Sequence, residues 1–172
     1  MRRESAVSYW LLPCKPDAAR YKQTIERLTS ENDTKAFEPH LTLGTLHAVI
    51  PDLTSTFATL KTMTLRPIEI GATAVFTTSL FVRFSPTRDL LNARTEFERL
   101  PGFRKGRMFD PHISLHYGPP PKVSMQWPEV RALLDRPVLF DRLVAVAVEL
   151  PITRADHLDS WVELETLELS TS

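Results

Sequence analysis

Phe37-Glu38-Pro39-His40-Leu41-Thr42-Leu43 and Phe109-Asp110-Pro111-His112-Ile113-Ser114-Leu115 are one phrase written twice, matched in chemical type at every position. Each copy reads as the start of a β-strand. Successive strand side chains point to opposite faces, so His40 and Thr42 share one face and Leu41 and Leu43 the other. His112 with Ser114, and Ile113 with Leu115, divide in the same way. Pro39 and Pro111 restrict the acidic residue before each to extended conformations and help fix where the strand begins. Duplication is the simplest origin of such a pair. If the two halves pack about a pseudo-two-fold axis, both His–hydroxyl pairs line a single cleft.

That pairing suits a particular chemistry. Opening a cyclic phosphate with water requires one group to take a proton from the water and another to give one to the departing ribose oxygen. Two histidines perform both tasks near neutral pH. Charge developing on the non-bridging oxygens needs fixed donors, and Thr42 and Ser114 supply a hydroxyl each. His40 and His112 are therefore the candidate catalytic residues, Thr42 and Ser114 the candidate phosphate ligands, and no metal is called for. A single copy would read as a strand-capping histidine and a solvated hydroxyl; recurrence of the set argues for a site.

Outward from the motifs, each half has a helix before its copy and another after it. Residues 7–12 read as a first strand, and Pro13 and Pro16 then break the chain before a helix over 17–29 capped by Asp17. A strand over 40–49 follows, then a helix from Asp52 to about Lys61. Strands over 65–75 and 80–84 form a hairpin, and 87–100 is a third helix ended by Pro101-Gly102. After the second motif strand, 112–117, come a helix over 127–134, a long apolar strand over 138–150 and a last strand over 161–169. The order predicts an α+β fold: one bilobal domain over 1–172, with two antiparallel sheets forming a central cleft and helices packed outside.

Composition sets the wider limits. The 172 residues are 42% apolar, enough for a substantial core. Lys and Arg balance Asp and Glu at 21 each, so no long-range field draws the chain to polymeric nucleic acid or an anionic membrane. A small-molecule partner fits better than RNA. The single cysteine, Cys14, makes no internal disulfide and reads as a core residue in a reducing compartment. The apolar run ending at Pro13 is too short for a signal segment, and nothing approaches a membrane helix. A cytoplasmic monomer is expected.

The repeated His-x-Thr/Ser-apolar motif resembles that of the 2H phosphoesterase superfamily. Within it, Val7-Ser8-Tyr9-Trp10-Leu11-Leu12-Pro13, the phrase from Pro111 through Tyr117-Gly118, and Trp161 are similar to cyclic phosphodiesterases of the fungal and plant kind. That resemblance implies a bilobal fold, no cofactor, and hydrolysis of ADP-ribose 1″,2″-cyclic phosphate and nucleoside 2′,3′-cyclic phosphates, giving ADP-ribose 1″-phosphate and nucleoside 2′-phosphates. It also implies a place in the metabolism of tRNA-splicing by-products. Two rival activities stand beside it: a 2′,5′-phosphodiesterase or RNA-end-processing enzyme, and a non-catalytic nucleotide-binding module. The two motifs are too alike to say which histidine is base and which acid.

Further residues carry weaker signals. Trp10 and Tyr117 match positions where the plant relatives place aromatics beside a nucleoside, with core packing as the rival reading. Strand parity sets Tyr117 opposite His112, so it reaches the cleft only if the strand ends there. His116 shares the face of His112 and is expected to line the cleft or its rim. Four residues of strand, ~13 Å, separate the two rings too far for one metal ion. His47 and His157 read as surface. Arg104-Lys105-Gly106-Arg107 could meet a substrate phosphate, although a solvated loop is the commoner case.

Overall fold

The computed structural model describes residues 3–106, 108–121 and 124–171. Its strands are β1 (Glu4–Pro13), β2 (Leu41–Leu46), β3 (Met63–Leu65), β4 (Pro67–Gly71), β5 (Leu80–Phe84), β6 (His112–His116), β7 (Val138–Leu150) and β8 (Val162–Glu168). They form an antiparallel sheet in the order β3-β7-β1-β2-β6-β5-β4, with β8 also on β7. The α+β class expected from the sequence is the one found. The two expected sheets are joined: β2 and β6, the motif strands, meet through the one Cα pair Leu41↔Ile113. Two short strands beginning side by side in opposite directions overlap only near their starts, so the sheet continues across the join while diverging to either side.

Among the described residues four α-helices complete the fold: α1 (Lys15–Asn32), α2 (Leu53–Thr56), α3 (Arg88–Glu98) and α4 (Pro128–Arg131). Alternation along β1 explains the layering. Val7, Tyr9 and Leu11 face the main core with Tyr21, Ile25 and Leu28 of α1 and Leu90, Ala93 and Phe97 of α3. Ala6, Trp10 and Leu12 face the other way, against Val144, Val146 and Val148 of β7. The helix before each motif crosses to the strand of the other: α1 packs on β6 and α3 on β2. None of the described helices is long and apolar enough to cross a membrane.

Several boundaries differ from expectation for identifiable reasons. Helix α1 starts at Lys15 with Pro16 in its first turn, where a missing N–H costs nothing, and its N-cap Cys14 makes no side-chain capping bond, its thiol donating instead to Asp17 Oδ2 at 3.4 Å. Asp17 thus sits inside the first turn, and its carboxylate accepts from Leu139 N at 3.0 Å and Arg20 Nη2 at 3.0 Å, tying the helix to β7. Asp52 does cap a helix, accepting from Ser55 N at 2.9 Å, but that helix is a single turn. The strand expected over 65–75 breaks at Arg66 into β3 and β4, which join opposite edges of the sheet. The helix expected over 127–134 is one α-turn followed by a 3-10 turn.

A bulge in β2 matters for the site. Tyr9 pairs with Gly44 and Trp10 with Thr42, leaving Leu43 as the extra residue. Leu43 and Gly44 both turn toward α3: the Leu43 carbonyl accepts from Arg94 Nη1 at 2.6 Å, and a Cβ on Gly44 would stand 2.4 Å from Phe97 Cδ1. Phe97 is fully buried and has no room to yield. Gly44→Ala is therefore expected to destabilise the fold by about 1–3 kcal/mol, read as a lower denaturant midpoint. An unchanged midpoint would mean that α3 does not lie this close to β2.

Candidate active site

The join between β2 and β6 assembles the site. Counting antiparallel from Leu41↔Ile113 sets His40 against Ser114 and Thr42 against His112. The antiparallel pairing thus relates the two motif strands by a local two-fold axis between the aliphatic pair. Leu41, Leu43, Ile113 and Leu115 are fully buried on the helix side, while His40, Thr42, His112 and Ser114 all line a cleft of about 630 Å³ on the other.

Both histidines are held in the same way. His40 Nδ1 lies 2.7 Å from the Glu38 carbonyl and His112 Nδ1 2.7 Å from the Asp110 carbonyl. A carbonyl only accepts, so each Nδ1 carries the hydrogen and each Nε2 is left as the nitrogen that exchanges protons. This is why the phrase repeats acid-Pro-His: the proline holds the acidic residue extended, and its carbonyl turns back to the ring two positions on. The carboxylates themselves point elsewhere. Asp110 receives a bidentate pair from Arg83, at 2.8 and 3.1 Å, and Glu38 faces Lys22 at 3.4 Å.

The surroundings break the symmetry. Trp10 stacks on His40 at 3.8 Å between centroids and 15° between planes, with Trp161 edge-on at 5.7 Å and Phe37 at 6.3 Å. His40 is left only 6% exposed. Burial pulls its pKa down from 6.5 to about 4; the Glu38 carbonyl opposes this and the His112 charge adds to it. His112 has Phe81 edge-on at 5.3 Å and is half-buried. At neutral pH His40 is thus an unprotonated imidazole with its Nε2 lone pair available.

The two hydroxyls also differ. Thr42 is exposed to the cleft. Ser114 is buried, donates to the Thr77 carbonyl at 2.7 Å, and is hydrogen-bonded to the side chain of Tyr117. Its proton therefore braces the turn at Phe76–Thr78, which walls the cleft. Burial raises the Tyr117 hydroxyl well above the usual phenol range.

Among the remaining candidates, Trp10 and Tyr117 line the cleft, and Tyr117 does so because β6 ends at His116. Both are also buried, Tyr117 stacking on Phe37 at 4.1 Å. These rings occupy the boundary between core and cleft. His116 is a correction. It is fully buried and absent from the cleft lining; its Nδ1–H donates to Ser79 Oγ at 2.9 Å, because that hydroxyl already donates to the His116 carbonyl at 2.8 Å. Nε2 then accepts from Thr34 Oγ1 at 3.2 Å. The pairing of β5 with β6 shifts register between Leu80↔His116 and Phe81↔Ser114, which defeats simple parity. Among the described residues, no three His, Cys, Asp or Glu side chains gather as a metal would require.

The structure adds residues that motif reading passed over or set aside. Arg104 lines the cleft, although its loop read as solvated charge, and Arg107 lies outside the described residues. Ser8 and Thr45 line it too. Thr45 is three positions from Thr42, which regular alternation would send to the other face; the bulge at Leu43 returns it to the cleft. No sequence signal marked that bulge beyond Gly44 itself.

The architecture is one already seen in solved structures. E. coli LigT complexed with 3′-AMP matches over 99% of this chain and 100% of its own, at 17% identity and a TM-score of 0.57. The crystal structure of a phosphoesterase matches over 98% and 99%, at 16% identity and a TM-score of 0.59. E. coli LigT complexed with phosphate matches at 14% identity and a TM-score of 0.54, over 99% of this chain and 100% of its own. No protein-family model and no curated protein sequence matches the chain. At these identities the likeness establishes a shared LigT-like fold.

Proposed function

We propose that the chain is a phosphoesterase of the 2H type that hydrolyses ribose cyclic phosphates without a metal, ADP-ribose 1″,2″-cyclic phosphate and nucleoside 2′,3′-cyclic phosphates being its substrate class. The observation that carries this reading is the matched pair of imidazoles in one cleft, each with Nδ1 tied to the carbonyl two residues back. His40, neutral because it is buried, takes a proton from water through Nε2 as the water oxygen attacks phosphorus. His112 Nε2 gives a proton to the ribose oxygen as its bond to phosphorus breaks. One P–O bond forms, one breaks, and a phosphomonoester leaves with both histidines in exchanged protonation states, which solvent resets. Thr42 donates to a non-bridging oxygen.

The fold shared with LigT, crystallised with 3′-AMP and with phosphate, supports a nucleotide phosphate in the cleft. A 2′,5′-linked or RNA-end substrate would use the same two histidines and Thr42, with a second nucleotide along the cleft. The balanced charge counts against a long polyanion. A module that only binds would have no need of paired imidazoles with free Nε2 atoms.

The test is hydrolysis of ADP-ribose 1″,2″-cyclic phosphate, the four nucleoside 2′,3′-cyclic phosphates and a 2′,5′-linked dinucleotide, with EDTA present. EDTA-resistant opening of the cyclic phosphates is expected, in preference to the dinucleotide. A strict metal requirement would overturn the mechanism; cleavage of the dinucleotide alone would move the substrate class to the linear esters.

A further inference from the structure

Beside the repeated residues, the cleft floor holds a hydroxyl whose proton has no described acceptor. Ser8 lies on the cleft face of β1, opposite Thr45, and is 6% exposed. Its Oγ accepts from Trp10 Nε1 at 2.8 Å and from Thr45 Oγ1 at 3.4 Å. A hydroxyl oxygen has two lone pairs and one hydrogen, and both lone pairs are used. Ser8 can therefore only donate. Arg104 is held next to it by the bond from its backbone N–H to the Thr45 carbonyl at 2.9 Å, and Arg104, whose guanidinium is also donor-only, lines the same cleft. A group that meets two donors, one of them cationic, is an acceptor, and a phosphate oxygen is the acceptor that gains most from the cationic one.

We propose that Ser8 and Arg104, with Thr45 orienting Ser8, form a second anion subsite that selects ribose cyclic phosphates bearing a further phosphate on the same ribose. The inference rests on the proposed cyclic phosphodiesterase activity and narrows its substrate class. Spacing supports it: Ser8 is two residues along β1 from Trp10, which stands opposite Thr42. Two residues of strand rise ~7 Å, the scale of one ribose ring, so a 2′,3′-cyclic phosphate that meets Thr42 has the reach to set its 5′ end at Ser8. Among the described residues, Glu4 is the carboxylate paired with Arg104, at 3.1 Å, and its side chain is 66% exposed. With one partner this exposed, and the Arg104 side chain 28% exposed, the pair is a modest competitor that a phosphate can displace.

The experiment compares kcat/KM for adenosine 2′,3′-cyclic phosphate with and without a 5′-phosphate. The wild type is expected to favour the 5′-phosphorylated substrate by about tenfold, one good charge-assisted contact. Arg104→Gln and Ser8→Ala should each bring that ratio close to one, and Glu4→Gln, which frees Arg104, should raise it. Reading the ratio cancels any common loss that reaches His40 through Trp10 when Ser8 is altered. Calorimetric binding of adenosine 2′,5′-bisphosphate against adenosine 2′-monophosphate gives the same comparison without turnover. Preferential bisphosphate binding that Arg104→Gln removes would support the subsite even if neither cyclic phosphate were hydrolysed, an outcome that would instead defeat the proposed activity. Equal handling of both compounds by the wild type, or a preference untouched by Arg104→Gln and Ser8→Ala, would overturn the subsite.

Discussion

Alanine at His112 is expected to lower kcat on a ribose cyclic phosphate by roughly 10²–10⁴, and alanine at His40 by a similar factor, the range for losing one positioned general acid or base. The double variant should be scarcely worse than either single one, because acid and base act in a single displacement and each is of little use without the other. The roles differ in their pH signature. His40 must be unprotonated to act, so kcat/KM of the wild type should hold as pH falls through 6.5 and drop only as it approaches about 4. His40→Ala should lose that low-pH limb. Turnover within tenfold of wild type in either alanine variant, with folding intact by circular dichroism, would remove that histidine from the mechanism.

Acid should unfold the protein partly through the same residue. In the unfolded chain His40 titrates near 6.5; in the fold, burial against Trp10, Phe37 and Trp161 holds it near 4. Between these values the unfolded chain binds a proton that the folded chain does not, so stability falls as pH falls across that window. At about 1.4 kcal/mol per pH unit the loss reaches about 3 kcal/mol by pH 4. His116, fully buried and also lowered by desolvation, adds in the same direction. The stability difference between wild type and His40→Gln, from urea unfolding at pH 7.5 and 4.5, should shift by most of that amount. Carboxylates common to both proteins cancel. An unchanged difference would mean that His40 is solvated in the fold.

How far these features were legible follows from the range of the interactions behind them. The duplicated phrase exposed four residues that line the cleft because alternation along a strand is local, set by backbone geometry within a few residues. β7 was legible for the same reason, as a long run of β-branched and apolar residues, and its observed limits are those expected, Val138–Leu150. Helix α1 was displaced by two residues at its start because the competition between Pro16 and Asp17 for the first turn is decided by a contact with Leu139, far along the chain. Register could not be read. The bulge at Leu43 brings Thr45 into the cleft and the shift at Leu80 helps take His116 out of it, and each depends on what the neighbouring strand and helix offer.

The sequence by itself determined the α+β class, the two imidazoles and two hydroxyls, and, through proline, the extended residue whose carbonyl fixes each ring. It did so because these rest on alternation and on the dihedral limits of adjacent residues. Only the tertiary structure decided that the two motif strands join the halves into a continuous sheet, that each helix lies beneath the other half's strand, and that one histidine is buried under an indole while its twin stays half-buried. Desolvation depends on every atom that surrounds a group, and the atoms around His40 come from β1, the segment before β2 and the residue preceding β8, which are distant in the chain and adjacent only when folded.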